Sequence, residues 1–298
     1  AQLHATRDGI AYLKEMRAYF YSYGGKQMGS TPSGVYIDRA SQINANGRVF
    51  YPLYVGSGST ASIKIAAYNL PKNSVDWTAP ESLFGANPNF RGAYPTPDGG
   101  AVIYVDRLKV VGSTERVKVL IKLNALGGKQ CEKELLNQDA SGNTWNNTHV
   151  VVDTNGNIAV TREGSLKTND PYNVNMPAIS IGVFTSAGGV MYDAIMRGNL
   201  DKAAGGVNGY SIGGQGYADP GLGQNTLYFL GTCKGTCTEY METKLYAVKI
   251  PGLGMDYPRG AVLNRSPRPS SAYVALGDSF SSGEGVEPFD SNTTIPEI

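Results

Sequence analysis

Three groups of residues in this chain have the types and spacing to do chemistry. The first is Gly277-Asp278-Ser279, which follows the apolar run Tyr273 to Leu276 and precedes Phe280-Ser281-Ser282-Gly283-Glu284-Gly285. A strand that ends in a glycine turn holds a serine hydroxyl at the carboxyl edge of a sheet. From there the hydroxyl can attack an ester carbonyl while its own backbone N–H faces the developing oxyanion. Asp278 would brace that turn through bonds to nearby amides, and Gly283 would let a second turn fold close above it.

The second group is Cys233 and Cys237, separated by Lys-Gly-Thr. A disulfide closing that small loop fits, and two free thiols fit as well. Half of a zinc site is the remaining reading, but no second ligand pair lies near in sequence, since the histidines are His4 and His149 alone. Cys131 is left over. The third group is Asp153-Thr154-Asn155-Gly156-Asn157, with oxygen ligands on alternating residues as in a calcium loop. The glutamate such a loop needs is out of register, so a tight turn is the expectation. The glycines between Gly205 and Gly216 lack the Lys-Ser or Lys-Thr of a phosphate cradle. The residues offer no metal site and no cofactor motif.

The string from Tyr273 to Gly285 resembles, residue by residue, the first conserved block of the SGNH (GDSL-type) serine hydrolases. The resemblance covers about residues 271 to 287. It implies Ser279 as the nucleophile and as an oxyanion donor through its N–H, with Gly277, Asp278 and Gly283 in support. That family completes its site with a later glycine, a later asparagine and an Asp-x-x-His. None follows Ser279 here, and Thr168-Asn169-Asp170, a partial echo of the asparagine block, precedes it. A serine without its base is a weak nucleophile at neutral pH. The resemblance therefore implies the front part of an exported esterase or lipase, with this chain inactive by itself.

The elements that lead up to the block are of another kind. Lys and Arg number 26 and Asp and Glu 25, a net charge of +1, which offers no global attraction to nucleic acid or anionic membranes. Charged residues are only 17%, while Gly (38) and Tyr (19) are frequent, as in many short strands joined by glycine turns. No apolar run approaches the ~20 residues that span a bilayer. The low charge and the cysteine pair point to a secreted or cell-surface protein.

Leu3, Arg7, Ile10, Leu13, Met16 and Ala18 fall near helical spacing and predict a helix over about 3–22, ended by Gly24-Gly25. Residues 1–33 are then an N-terminal helical segment. From 34 to 250 the pattern is of strands, with Gly47, Gly99 and Gly156 marking turns at intervals of about fifty residues, close to the repeat of a propeller blade. The Asn46-Gly47 pair predicts a type I′ hairpin. The fold expected is mainly β and β-propeller-like, with a β-sandwich as the alternative. Residues 251–271, rich in proline, read as a linker, and 272–298 as the incomplete start of the hydrolase domain. Two functions follow: acyl-ester hydrolysis by a longer SGNH enzyme, or a β-propeller binding or assembly module for carbohydrate or protein. Tyrosines and glycine loops suit the second.

Overall fold

In the computed structural model the described residues are mainly short strands joined by glycine turns. The structure describes residues 2–14, 17–33, 35, 37, 43–57, 61–167, 176–197, 209–212, 220–234 and 243–257. The chain divides into two units, Ala1–Asn264 and Arg265–Ile298, and every described residue lies in the first.

Five antiparallel sheets follow one another along the chain. The first holds β1 (Gln2–Ala5), β2 (Gly9–Lys14), β3 (Arg17–Ser22) and β4 (Gln27–Ser30). The second holds β5 (Arg48–Val55), β6 (Ser62–Asn69) and β7 (Ser74–Ala79), with a bridge from Ile43 to Val49 on its inner side. The third holds β8 (Ala86–Pro95), β9 (Ala101–Leu108), β10 (Arg116–Leu123) and β11 (Lys129–Leu135). The fourth holds β12 (Thr144–Val152), β13 (Ile158–Leu166), β14 (Met176–Phe184) and β15 (Val190–Arg197). In the fifth, β18 (Thr226–Lys234) pairs with β19 (Thr243–Lys249) along one edge. Its other edge is shared by β17 (Gly221–Gly223) and β16 (Gly209–Ile212).

Consecutive sheets pack face to face, with an apolar core at each of the four junctions between them. Phe20 meets Tyr51 and Tyr68 between the first and second. Ile65 meets Ile103 and Ile121 between the second and third. Tyr104 and Leu120 meet Val150 and Val160 between the third and fourth. Ile181 meets Leu227 and Phe229 between the fourth and fifth. This is a five-bladed β-propeller. A strand inside a blade has a neighbour on both faces, which explains why β9 is buried from Ala101 to Val105 without alternation. The outermost β11 is largely exposed and correspondingly polar.

Among the described residues one turn template recurs seven times, at Ser22, Asn44, Thr96, Asn124, Asp139, Asp153 and Thr185. The first residue donates its N–H to the carbonyl of the fifth and accepts the N–H of the fourth, which is always glycine at positive φ. At Asn44, Asn124, Asp139 and Asp153 a side-chain oxygen also accepts the N–H groups of the third and fifth residues. The turn at Asn46-Gly47 is therefore a type I turn with a glycine bulge, not type I′: Gly47 has positive φ and Asn46 does not. Only Asp139 departs from its fellows in place. The other six turns gather at one end of the propeller, since blade to blade they touch: Arg48 donates to the Gly99 carbonyl at 2.7 Å and Arg7 N–H to the Ala45 carbonyl at 2.8 Å.

The helix expected over 3–22 is absent, and β1, β2 and β3 stand in its place. The Thr6 N–H and hydroxyl both bond to the Gly9 carbonyl and close a turn. Beyond it Ala11 and Leu13 turn into the core while Tyr12 and Lys14 turn away. The helix-like spacing came from apolar residues on two short strands flanking a turn. At the start of the stretch read as strands, Val35 and Ile37 are described; neither is in a strand, and both pack against the core between the first and second sheets. Of the proline-rich stretch, residues 251–257 are packed onto the propeller: Leu253 is fully buried, and Tyr257 N–H bonds to the Val152 carbonyl at 2.8 Å. Among the described residues, no helix is long and apolar enough to cross a membrane.

Candidate binding cleft between the third and fourth blades

At the end opposite the glycine turns, charge replaces apolar packing between the third and fourth blades. The register of β9 with β10 sets Lys118 opposite Asp106 and Leu120 opposite Tyr104. With side chains alternating across the sheet, Tyr104, Asp106, Arg116 and Lys118 share the face that meets the fourth blade. From that blade, β12 and β13 pair Thr148 with Arg162, on the face that also carries Val150 and Val160.

Arg91, Arg116 and Lys118 thus gather around Asp106, with Arg162 near Lys118. Asp106 accepts Arg116 Nε at 2.9 Å and Arg91 at 3.1 Å. Arg116 also donates to the carbonyls of Asn87 and Asp106, at 2.9 and 2.6 Å. Lys118 Nζ donates to the Asn146 carbonyl of the next blade. Arg162 reaches the Leu136 carbonyl at 3.0 Å and the Ser180 hydroxyl at 3.1 Å, and its guanidinium lies 5.2 Å from the centre of the buried Trp145 ring. Burial holds the Lys118 ammonium below the usual lysine range, and the charges of Arg162 and Arg91 add to that against the pull of Asp106. Burial likewise pushes the Tyr104 phenol up, while its hydrogen bond with Thr148 and the nearby Arg91 and Arg162 work the other way. Burial also disfavours the Arg162 charge, opposed by Asp193 and Asp139.

Outward from Arg162 the cleft opens into a groove of about 280 Å³ between β11 and the face of the fourth blade. Lys133, Asp139, Trp145, Arg162, Ser180 and Asp193 line it. Exposed Leu136, Val190 and Ile195 form its apolar rim. Lys133 Nζ stands 5.1 Å from the centre of the Phe184 ring, so both aromatic rings are overlaid by cations. The turn at Asp139 belongs here. Burial works to raise its carboxyl, but bonds from Asn143 and the Ser141 N–H outweigh this and hold it below the usual range. The arrangement offers converging donors and acceptors beside apolar surface, which is what a polyhydroxylated or charged small ligand needs.

None of the sequence-derived candidates that the structure describes takes part in this cleft. Ser279, Gly277, Asp278 and Gly283 lie outside the described residues, and so does Cys237. Cys233 is placed by its backbone only, opposite Tyr210 in the pairing of β16 with β18. Cys131 is a half-buried free thiol on β11, its ionisation disfavoured first by burial. The carboxylate of Asp153, the calcium-like position, is taken up by the N–H groups of Asn155, Asn157 and Gly254 and by the Asn157 amide. His149 lies on β12 opposite Thr161. The loop glycines from Gly205 to Gly216 are described only at Gly209, within β16.

No protein family and no curated protein matches the chain. Among solved structures, an alpha-L-arabinanase from Penicillium chrysogenum, complexed with arabinobiose, is similar over 83% of this chain and 86% of its own, at 9% identity and a TM-score of 0.39. An apocarotenoid oxygenase from Synechocystis, in two single-residue variants, is similar over 83% of this chain at 9% identity and a TM-score of 0.36. The chain spans 59% of the oxygenase's length. Likeness this distant says nothing of chemistry.

Proposed function

We propose that this chain is an exported ligand-binding β-propeller, and that its ligand is a carbohydrate held in the groove between the third and fourth blades. The observation that carries the reading is the lining of that groove. Ser180, Asp139, Asp193 and Arg162 present hydroxyl, carboxylate and guanidinium groups to one space of about 280 Å³. Such side chains donate to and accept from sugar hydroxyls, and the apolar rim suits a sugar's C–H face. Calorimetry of the full chain against a panel of short oligosaccharides tests this. Binding should weaken about tenfold or more in Asp193→Ala, a change expected to leave stability within about 0.5 kcal/mol because the residue is exposed. Binding unaffected by Asp193→Ala would end the reading.

A second reading rests on a specific string of sequence, the SGNH-like block at residues 271–287. In it the propeller serves as the accessory domain of a serine esterase with Ser279 as nucleophile. The test is a chain extended through the family's later blocks. It should hydrolyse a short-chain nitrophenyl ester, and Ser279→Ala should abolish the activity; activity intact in that variant would remove Ser279 from the role.

A further inference from the structure

We propose that the inner end of the cleft is an anion-binding subsite, formed by Lys118, Arg162 and Arg91 beside the Tyr104 and Thr148 hydroxyls, and that the saccharide in the groove carries a carboxylate or a sulfate ester there. This rests on the reading of the groove as a saccharide site and adds the substrate class.

Arg91, Arg116, Lys118 and Arg162 converge on the same end of the cleft, and the carboxylate among them is Asp106. Asp106 is already bonded to both Arg116 and Arg91. Lys118 and Arg162 have carbonyl and hydroxyl partners but no ion pair among the described residues. Asp139 and Asp193 reach Arg162 from the outer side, and Lys133 and Glu134 stand further along the groove. The cleft is therefore polarised, cationic towards Lys118 and carboxylate-rich towards Asp193. Holding like charges together while partly desolvated is costly. An anion from the ligand relieves the cost, whereas structure alone would be served better by an apolar residue at 118, as at its neighbour Leu120. Arg162 belongs to both halves, so a sugar ring in the groove has its anionic substituent within reach of the subsite.

The test uses the full chain and four probes: inorganic sulfate, glucuronate, glucose 6-sulfate and glucose, followed by amide chemical shifts and calorimetry at low salt. The expected result is that at least one charged sugar binds about tenfold tighter than glucose, that added salt erodes the advantage, and that Lys118→Met removes it while glucose binding stays. Which charged sugar wins distinguishes carboxylate from sulfate. Equal affinity for charged and neutral sugars, or an advantage that survives Lys118→Met, overturns the subsite and leaves the groove reading standing. Sulfate shifts at Tyr104 and Thr148 that vanish in Lys118→Met, with no sugar bound, would keep the subsite and overturn the groove. Arg91→Gln, a change at a side chain that is 51% exposed, gives the same readout with no risk to folding.

Discussion

The two ends of this propeller solve opposite problems with the same strands. At the turn end backbone amides bond to side-chain oxygens within the turns, at Asn44, Asn124 and Asp153 those of the residue that opens the turn, and the glycines supply the positive φ those turns need. Even the buried Lys122 is matched, by the Ser186 carbonyl at 3.0 Å and by Asp98 at 3.3 Å. At the other end, between the third and fourth blades, cations outnumber carboxylates and two of them rest on neutral oxygens. An over-determined end keeps the blades in place, which lets the under-compensated end keep charge available for a ligand.

If that contrast is right, substitutions at the two ends should fail differently. The largest loss is expected from Asp153→Ala, which strands buried N–H donors of Asn155, Asn157 and Gly254: about 3 kcal/mol or more in urea unfolding. Gly127→Ala should cost about 1–3 kcal/mol, because a side chain at that φ of 83° is strained and its Cβ would fall 2.7 Å from the Trp77 ring. A pH effect of under about 1 kcal/mol belongs to Asp98, half open to solvent. Burial pushes its carboxyl up, but bonds from Thr96, the Gly100 N–H and Lys122 prevail and hold it below the usual range. The stabilisation is thus present above the ordinary aspartate pKa and fades as pH falls through the lowered one; Asp98→Asn should flatten that part of the stability profile. The smallest effect should be Arg91→Gln at the cleft, about 0–0.5 kcal/mol, as for an exposed ion pair. A loss there as large as at Asp153 would erase the distinction between the ends.

What the sequence disclosed follows from which interactions are local. Gly47, Gly99 and Gly156 could be recognised as turn markers because positive φ excludes most side chains within the turn itself. The same locality misled twice. Leu3, Ile10 and Leu13 mimic a helical stripe only because a four-residue turn separates two short strands, and Asn46 suggested type I′ although the turn is one residue longer. The cleft could not be read at all. Tyr104, Lys118, Thr148 and Arg162 sit on four strands of two blades, and only the registers of β9 with β10 and β12 with β13 aim them at one space. No short motif records such a meeting.

One turn carries a consequence for how the molecule is made. The Asp153 carboxylate takes the Gly254 N–H at 2.6 Å across 101 residues of chain, and Asn155 reaches the Gly252 carbonyl across 97. Ribosomes add about 5–20 residues per second. The fourth blade's inner turn must therefore wait on the order of 5–20 s, exposed and missing a partner, before the segment that completes it is synthesised. A nascent chain paused between those points would carry a nearly finished propeller with its latch still open, and that interval is when a chaperone or a protease would find it.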